Sequence, residues 1–311
     1  MSQVFPIPPA QPRVFRGLPA VEHEAPLPLA LWHLCSLDAP TVAVTWSLAF
    51  AWAAGVRLPL WIPSLQALVT WIVYVADRLL DARAAERRSE SSRLRLRHRF
   101  HWRHRRIFFP LALAATCAAA CLVFFFVPIA APESHSYFAR NSVLALAALA
   151  YFTRVHSGPD LEQSRSQFVF PLLTKELLVG VLFTAGCALP AFYRIAIEPT
   201  ASVLPLLICA LFFAMLAWLN CHAIERWESQ FRSNTRQIFT QATTLAISGA
   251  VLAILLTASH PRPAALLATG AASALLLAAL DRHQPRLSPI ALRAGADLVL
   301  LVPIVILVLP R

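Results

Sequence analysis

Seven stretches of this chain run for about twenty residues without a charged side chain, and nothing else in the sequence narrows the fold as far. They cover residues 39–56, 58–76, 107–131, 177–193, 200–221, 238–259 and 264–280. Each approaches or exceeds the ~20 apolar residues that a helix needs to cross a bilayer. Two shorter windows, 141–153 and 298–309, join them with help from flanking polar groups. Lipid offers no partner to a backbone N–H or C=O, so such windows must be helical. The pattern predicts an all-α integral membrane protein with about nine transmembrane helices. Composition agrees: mean hydropathy is +0.61 and 14% of residues are charged, against roughly 25% in soluble domains.

Residues 1–30 break the pattern. "MSQVFPIPPAQPRVFRGLP" is proline-rich and has no continuous apolar stretch. It is therefore no signal peptide and reads as a disordered cytosolic tail. From 31 to 311 no Gly/Ser linker or shift of composition divides the chain, which predicts a single transmembrane domain. The six cysteines, Cys35, Cys117, Cys121, Cys187, Cys209 and Cys221, show no CxxC pairing and sit mostly in apolar windows. They read as small core residues, not as disulfides.

Basic residues outnumber acidic ones by 27 to 16, and the pI is near 10.4. Such a balance suits nucleic acid, but the distribution points to a membrane instead. If the helices alternate in direction, every basic residue except Arg57, Arg140, Arg194, Arg262 and Arg311 falls on one side. The positive-inside rule makes that side cytosolic. This places the N-terminus inside and the C-terminus outside, in the inner (plasma) membrane of a bacterium. Residues 78–106 concentrate eleven arginines and end in "RHRFHWRHRR". Two roles suit this segment: a solvated loop drawn to anionic head groups, or a lid whose planar guanidinium groups grip phosphate. His98, His101 and His104 recur every third residue, but the HxxHH boxes of membrane di-iron hydroxylases are absent.

Carboxylates gather at the same predicted face. Asp38 opens the first span, and Asp77 and Asp81 close the second; Lys175 and Glu176 open the fifth. Asn220, His222, Glu225 and Glu228 close the sixth, and Asp297 opens the ninth. Ionisable residues at such depths are expensive against lipid, so their gathering predicts a polar cavity open to the cytosol. Asp77 and Asp81 are four apart and share a helix face, as do Glu225 and Glu228 at a spacing of three. "DRLLDAR" and "ERWESQFR" also match in layout, a weak internal repeat that points to a site between two halves. Four carboxylates beside arginines suit Mg²⁺-assisted handling of a diphosphate, because Mg²⁺ takes oxygen ligands and bridges carboxylates to phosphates.

These residues resemble the UbiA superfamily of intramembrane prenyltransferases, over about residues 37–309. That family has nine transmembrane helices, an NDxxDxxxD motif ending the second and another acidic motif ending the sixth. "DRLLD" is similar to the latter part of the first motif, and the resemblance implies that Asp77 and Asp81 are Mg²⁺–diphosphate ligands. Asn220, Glu225 and Glu228 stand where the second motif belongs, and "YFTR", with Tyr151 and Arg154, looks like the family's end of helix 4. Val73 and Tyr74 stand where the family has Asn and Asp, and the glutamates are spaced by three, not four.

The function expected on these grounds is prenyl transfer from a prenyl diphosphate to an aromatic or other lipophilic acceptor. Asp77, Asp81, Glu225 and Glu228 are the expected catalytic and Mg²⁺-binding groups, with Arg78, Asn220, Tyr151, Arg154 and Lys175 binding substrate. Trp71, Tyr74 and Trp218 offer π-faces to an allylic cation, or serve as packing aromatics. The rival is a catalytically degenerate member that binds lipid or acts as a scaffold. A transporter lacks the Gly-interrupted helix pair such sites use, with only 8 glycines in the chain. Orientation has a direct test. In intact cells, a Ser91→Cys protein should label with a membrane-impermeant thiol reagent no more than the parent does, and should gain label on lysis. Extra label in intact cells overturns the orientation.

Overall fold

The computed structural model describes residues 26–87, 95–126, 175–195, 203–228 and 236–308. Helix α1, Leu27–Leu34, carries a proline in its first turn, where the missing N–H has no partner to lose. Ser36, at φ 60°, ends it by turning the chain. Helix α2, Asp38–Ala53, then leaves at 86° to α1. At the far end of α2, Gly55 adopts φ 75° and the Val56 N–H reaches back to the Ala51 carbonyl at 2.9 Å, the usual glycine stop.

Helix α3 spans Trp61–Arg87, α4 Leu96–Arg103, and α5 Arg105–Phe126, with a break at His104 between the last two. Helices α6, Lys175–Ile195, and α7, Val203–Glu228, form one packed pair; α8, Arg236–Thr257, and α9, Pro261–His283, form another. After a 3₁₀ turn over Gln284–Arg286 come α10, Pro289–Val299, and α11, Ile304–Val308. Ser288 caps α10 by accepting from the Ala291 N–H at 3.2 Å.

Helix α2 is the axis of the core. Trp46 stacks on Phe213 of α7 with ring centroids 3.7 Å apart, and Phe50 meets the same ring edge-on at 5.9 Å. The Trp46 indole N–H donates to the Leu300 carbonyl at 2.9 Å, so a buried ring keeps its polar atom satisfied. Around this axis helices approach closely through small residues, as expected where lipid supplies no hydrophobic drive between helices. Ala242, Ala246, Gly249 and Ala253 line the buried face of α8. A Cβ added at Gly249 would lie 2.6 Å from the Phe212 ring, and one at Gly180 would lie 2.8 Å from the Trp218 backbone nitrogen. All six cysteines are free thiols, but only Cys187 and Cys209 are buried core residues; Cys117 and Cys121 are exposed on α5.

The protein is all-α, without a sheet among the described residues. Five helices, α5 to α9, are long and apolar enough to cross a membrane, and the bent pair α1–α2 makes a sixth where it is counted as one broken span. The predicted count of nine is not reached among the described residues, for identifiable reasons. Window 141–153 lies outside them. Helix α3 is long, about 40 Å at 1.5 Å per residue, but is apolar only over residues 61–76, short of a full span. Window 298–309 is no span: α10 ends at Val299, a turn carries Pro303, and α11 has only five residues. A cavity of about 220 Å³ lies at the Gly55 end of the bundle, bounded by Gly55, Ile195, His260 and Arg262, at the opposite end from Asp38.

The close approach at Gly180 sets a test. Gly180→Ala must push two backbones apart and should destabilise the detergent-solubilised protein by about 1–3 kcal/mol. Gly186 faces open space, so Gly186→Ala in the same helix should be neutral or stabilising by up to about 1 kcal/mol. Equal melting temperatures for the two variants would refute the tight α6–α7 contact.

Candidate functional site

The polar residues of the Asp38 end form three linked groups. The innermost is built by the α1–α2 bend. Asp38 sits in the first turn of α2, where the helix N-terminus favours a carboxylate, and its Oδ1 accepts from the Ala39 N–H at 2.9 Å. Its Oδ2 lies 2.5 Å from His33 Nδ1 and 3.8 Å from an Arg78 nitrogen. Arg78 is 2% exposed and turns inward, donating to the His33 carbonyl at 3.3 Å and to Ser36 Oγ.

Ser36 passes the network to α4. Its hydroxyl is 3.0 Å from His101 Nε2, while His101 Nδ1 is 2.9 Å from the Arg97 carbonyl. A carbonyl only accepts, so Nδ1 carries the proton and Nε2 accepts from Ser36. Burial holds His101 neutral, pushing its pKa down to about 4. Helix α4 therefore rests on the bend through a fixed tautomer.

The second group joins α3 to α4. Ligand atoms of Asp77, Asp81 and His98 all lie within 4.8 Å of one another. His98 Nε2 is 3.3 Å from Asp81 Oδ2, yet neither ring nitrogen has a hydrogen-bond partner among the described residues. Burial also lowers the His98 pKa, which keeps the imidazole neutral and its lone pair free.

The third group ties α4 and α10 to the end of α7. Arg95 reaches Glu225 at 3.2 Å and Glu228 at 3.0 Å, and Arg293 also holds Glu228. Arg97 lies among Arg293, Arg78 and Arg95; burial, and then these like charges, push its pKa down to about 9. Its Nε is buried without a partner among the described residues. Asn220 donates from Nδ2 to Asp297 at 3.3 Å. Burial and the neighbouring Asp38 carboxylate hold the Asp297 carboxyl above its ordinary range.

Asp77 and Asp81 thus meet as the sequence predicts, with His98 as their companion. Glu225 and Glu228 lie at the same end but face arginines, and Arg78 faces Asp38. Asn220 stands on Asp297. Lys175 opens α6; Tyr151 and Arg154 lie outside the described residues. Among the aromatics, Tyr74 has the Arg78 guanidinium 5.8 Å from its ring, Trp218 stacks on His222, and the Trp71 indole donates to the Cys35 carbonyl at 3.0 Å. Sequence reasoning missed His33, Ser36 and Arg293. Arg293 carried a signal, being four residues before Asp297 and on the same helix face; His33 and Ser36 are joined to the site only by the bend.

Breaking the innermost group should be costly, because removing one partner of a buried pair leaves the other charge exposed to an apolar interior. Arg78→Met should lower stability by about 3–5 kcal/mol, and adding Asp38→Asn should restore part of it. Additive losses in a denaturation cycle would mean the two side chains do not interact.

Comparison with protein-family models, with curated proteins and with solved structures yields no match for this chain.

Proposed function

We propose that this chain is a divergent Mg²⁺-dependent membrane prenyltransferase of the UbiA type, moving an isoprenoid from a prenyl diphosphate to an aromatic or other lipophilic acceptor. The observation that carries this proposal is the cluster of Asp77, Asp81 and His98, which joins the charged end of α3 to the arginine-bearing helix α4. The donor set fits Mg²⁺: two carboxylates supply the oxygens the ion prefers, and the orphaned His98 nitrogens suit a water or phosphate oxygen beside it. When bound there, Mg²⁺ would offset the charge of the leaving diphosphate.

The chain's own groups do the rest. Asp77 and Asp81 would hold the ion at the diphosphate end of the substrate. Arg97, with an unpartnered Nε, donates to phosphate oxygens. Lys175, Tyr151 and Arg154 belong to the same proposed substrate set. The allylic C–O bond breaks with its electron pair going to diphosphate; the acceptor carbon attacks the resulting cation and releases its proton to water. Trp71, which packs near Phe108, and Trp218, which stacks on His222, offer ring faces to the cation, whereas Tyr74 faces Arg78. The arginine-rich end faces the cytosol of a bacterial inner membrane in this proposal.

A second reading, a lipid-binding or scaffold protein without turnover, draws on a different observation. Glu225 and Glu228 are already neutralised by Arg95 and Arg293, and Val73 and Tyr74 stand at the family's Asn and Asp positions.

The experiment separates the two. Ligand bound to the folded state alone stabilises it by about 2.7 kcal/mol at a hundredfold excess over Kd. Mg²⁺ with a prenyl diphosphate should therefore raise the melting temperature of the parent protein and release diphosphate. The Asp77→Asn/Asp81→Asn protein should melt no lower without ligand and should show neither effect. A parent protein indifferent to the ligand, with variants that melt early, would leave the scaffold reading standing.

A further inference from the structure

We propose that His33, Asp38, Asp297 and Asn220 form a zinc-binding site at the α1–α2 bend, separate from the Asp77–Asp81 cluster. Three of its ligand atoms already converge: one each from His33, Asp38 and Asp297 lies within 4.8 Å of the others. His33 Nδ1 is 2.5 Å from Asp38 Oδ2 and 3.9 Å from Asp297 Oδ2. Tetrahedral zinc with bonds of about 2.0 Å needs ligand atoms about 3.3 Å apart, which these two separations bracket.

Asn220 supplies the independent sign of a ligand. It is 4% exposed, and its Oδ1 is buried with no hydrogen-bond partner among the described residues. Its Nδ2 donates to Asp297 Oδ1 at 3.3 Å. Its buried carbonyl oxygen is a further oxygen donor on a side chain that already touches Asp297.

Charge balance among the described residues points the same way. Glu225 and Glu228 are answered by Arg95 and Arg293. Asp38 faces Arg78, but at 3.8 Å, because Ser36 Oγ and the His33 carbonyl hold the guanidinium. Asp297 meets no arginine within 4 Å among the described residues; its nearest basic group is the His33 ring. One imidazole with three oxygens favours zinc over Mg²⁺, which takes oxygen ligands. On binding, zinc takes His33 Nδ1 while the ring proton passes to Nε2, and the proton held on the Asp297 carboxyl leaves to solvent. The ion would then pin α1, α2, α7 and α10 together.

The test is independent of prenyl transfer. Full-length Asp77→Asn/Asp81→Asn protein, stripped with chelator in detergent and titrated with Zn²⁺, should bind one equivalent and release protons. Adding Asp297→Asn or His33→Gln should abolish that equivalent while a cooperative melt remains. X-ray absorption of the zinc-loaded protein needs no further variant, and should show one imidazole among nitrogen and oxygen neighbours at about 2.0–2.2 Å. No bound zinc overturns the site. So does zinc retained after both substitutions, or a spectrum with sulfur or several imidazoles, which would put the ion on the thiols or on the α4 histidines.

Discussion

The buried carboxylate of Asp38 is the contact on which the polar end depends. A lone charge inside an apolar bundle is untenable, so Asp38 must be met by partners, and each partner comes from a different element. The Ala39 N–H belongs to α2 itself, His33 to α1, and Arg78 to α3. Arg78 then fixes Ser36, and Ser36 fixes His101 of α4. The 86° bend is thus held by the same hydrogen bonds that satisfy the charge. Helix α4 is carried along by them, which is why an arginine-rich segment lies across the site with defined contacts.

The apolar half obeys a different constraint. Packing between its helices comes from close approach, with Gly180 against Trp218 and Gly249 against Phe212 leaving no room for a methyl group. Large rings fill what the small residues open, and Trp46 stacked on Phe213 ties α2 to α7. Rigidity here sets where α2 begins, and so where Asp38 sits. The stacked rings and the buried carboxylate stand at different heights of one helix.

Periodic features were legible from sequence, and those created by chain reversal were not. The pairing of Asp77 with Asp81 follows from a spacing of four, and five of the seven long windows fall on helices long and apolar enough to span. The failures have local causes. The 298–309 window is apolar but contains Pro303, and composition alone does not reveal a turn whose Leu300 carbonyl is claimed by Trp46. From Trp61 on, the 58–76 window lies in α3, which continues to Arg87 as one helix with a charged end. The joining of His33 and Ser36 to Asp38 depends on a serine at φ 60°, a conformation serine adopts rarely, and no periodicity encodes it.

The arginines divide the carboxylates into two chemical classes. Glu225 and Glu228 meet cations directly and are spent on holding α4 and α10 in place. Asp297 instead meets Asn220 and the His33 ring, and Asp81 lies 3.3 Å from the buried His98. A carboxylate that faces neutral donors in a buried setting keeps its attraction for a cation, whereas one already paired has little left to offer. The glutamates act as a frame that ties α4 and α10 to the end of α7.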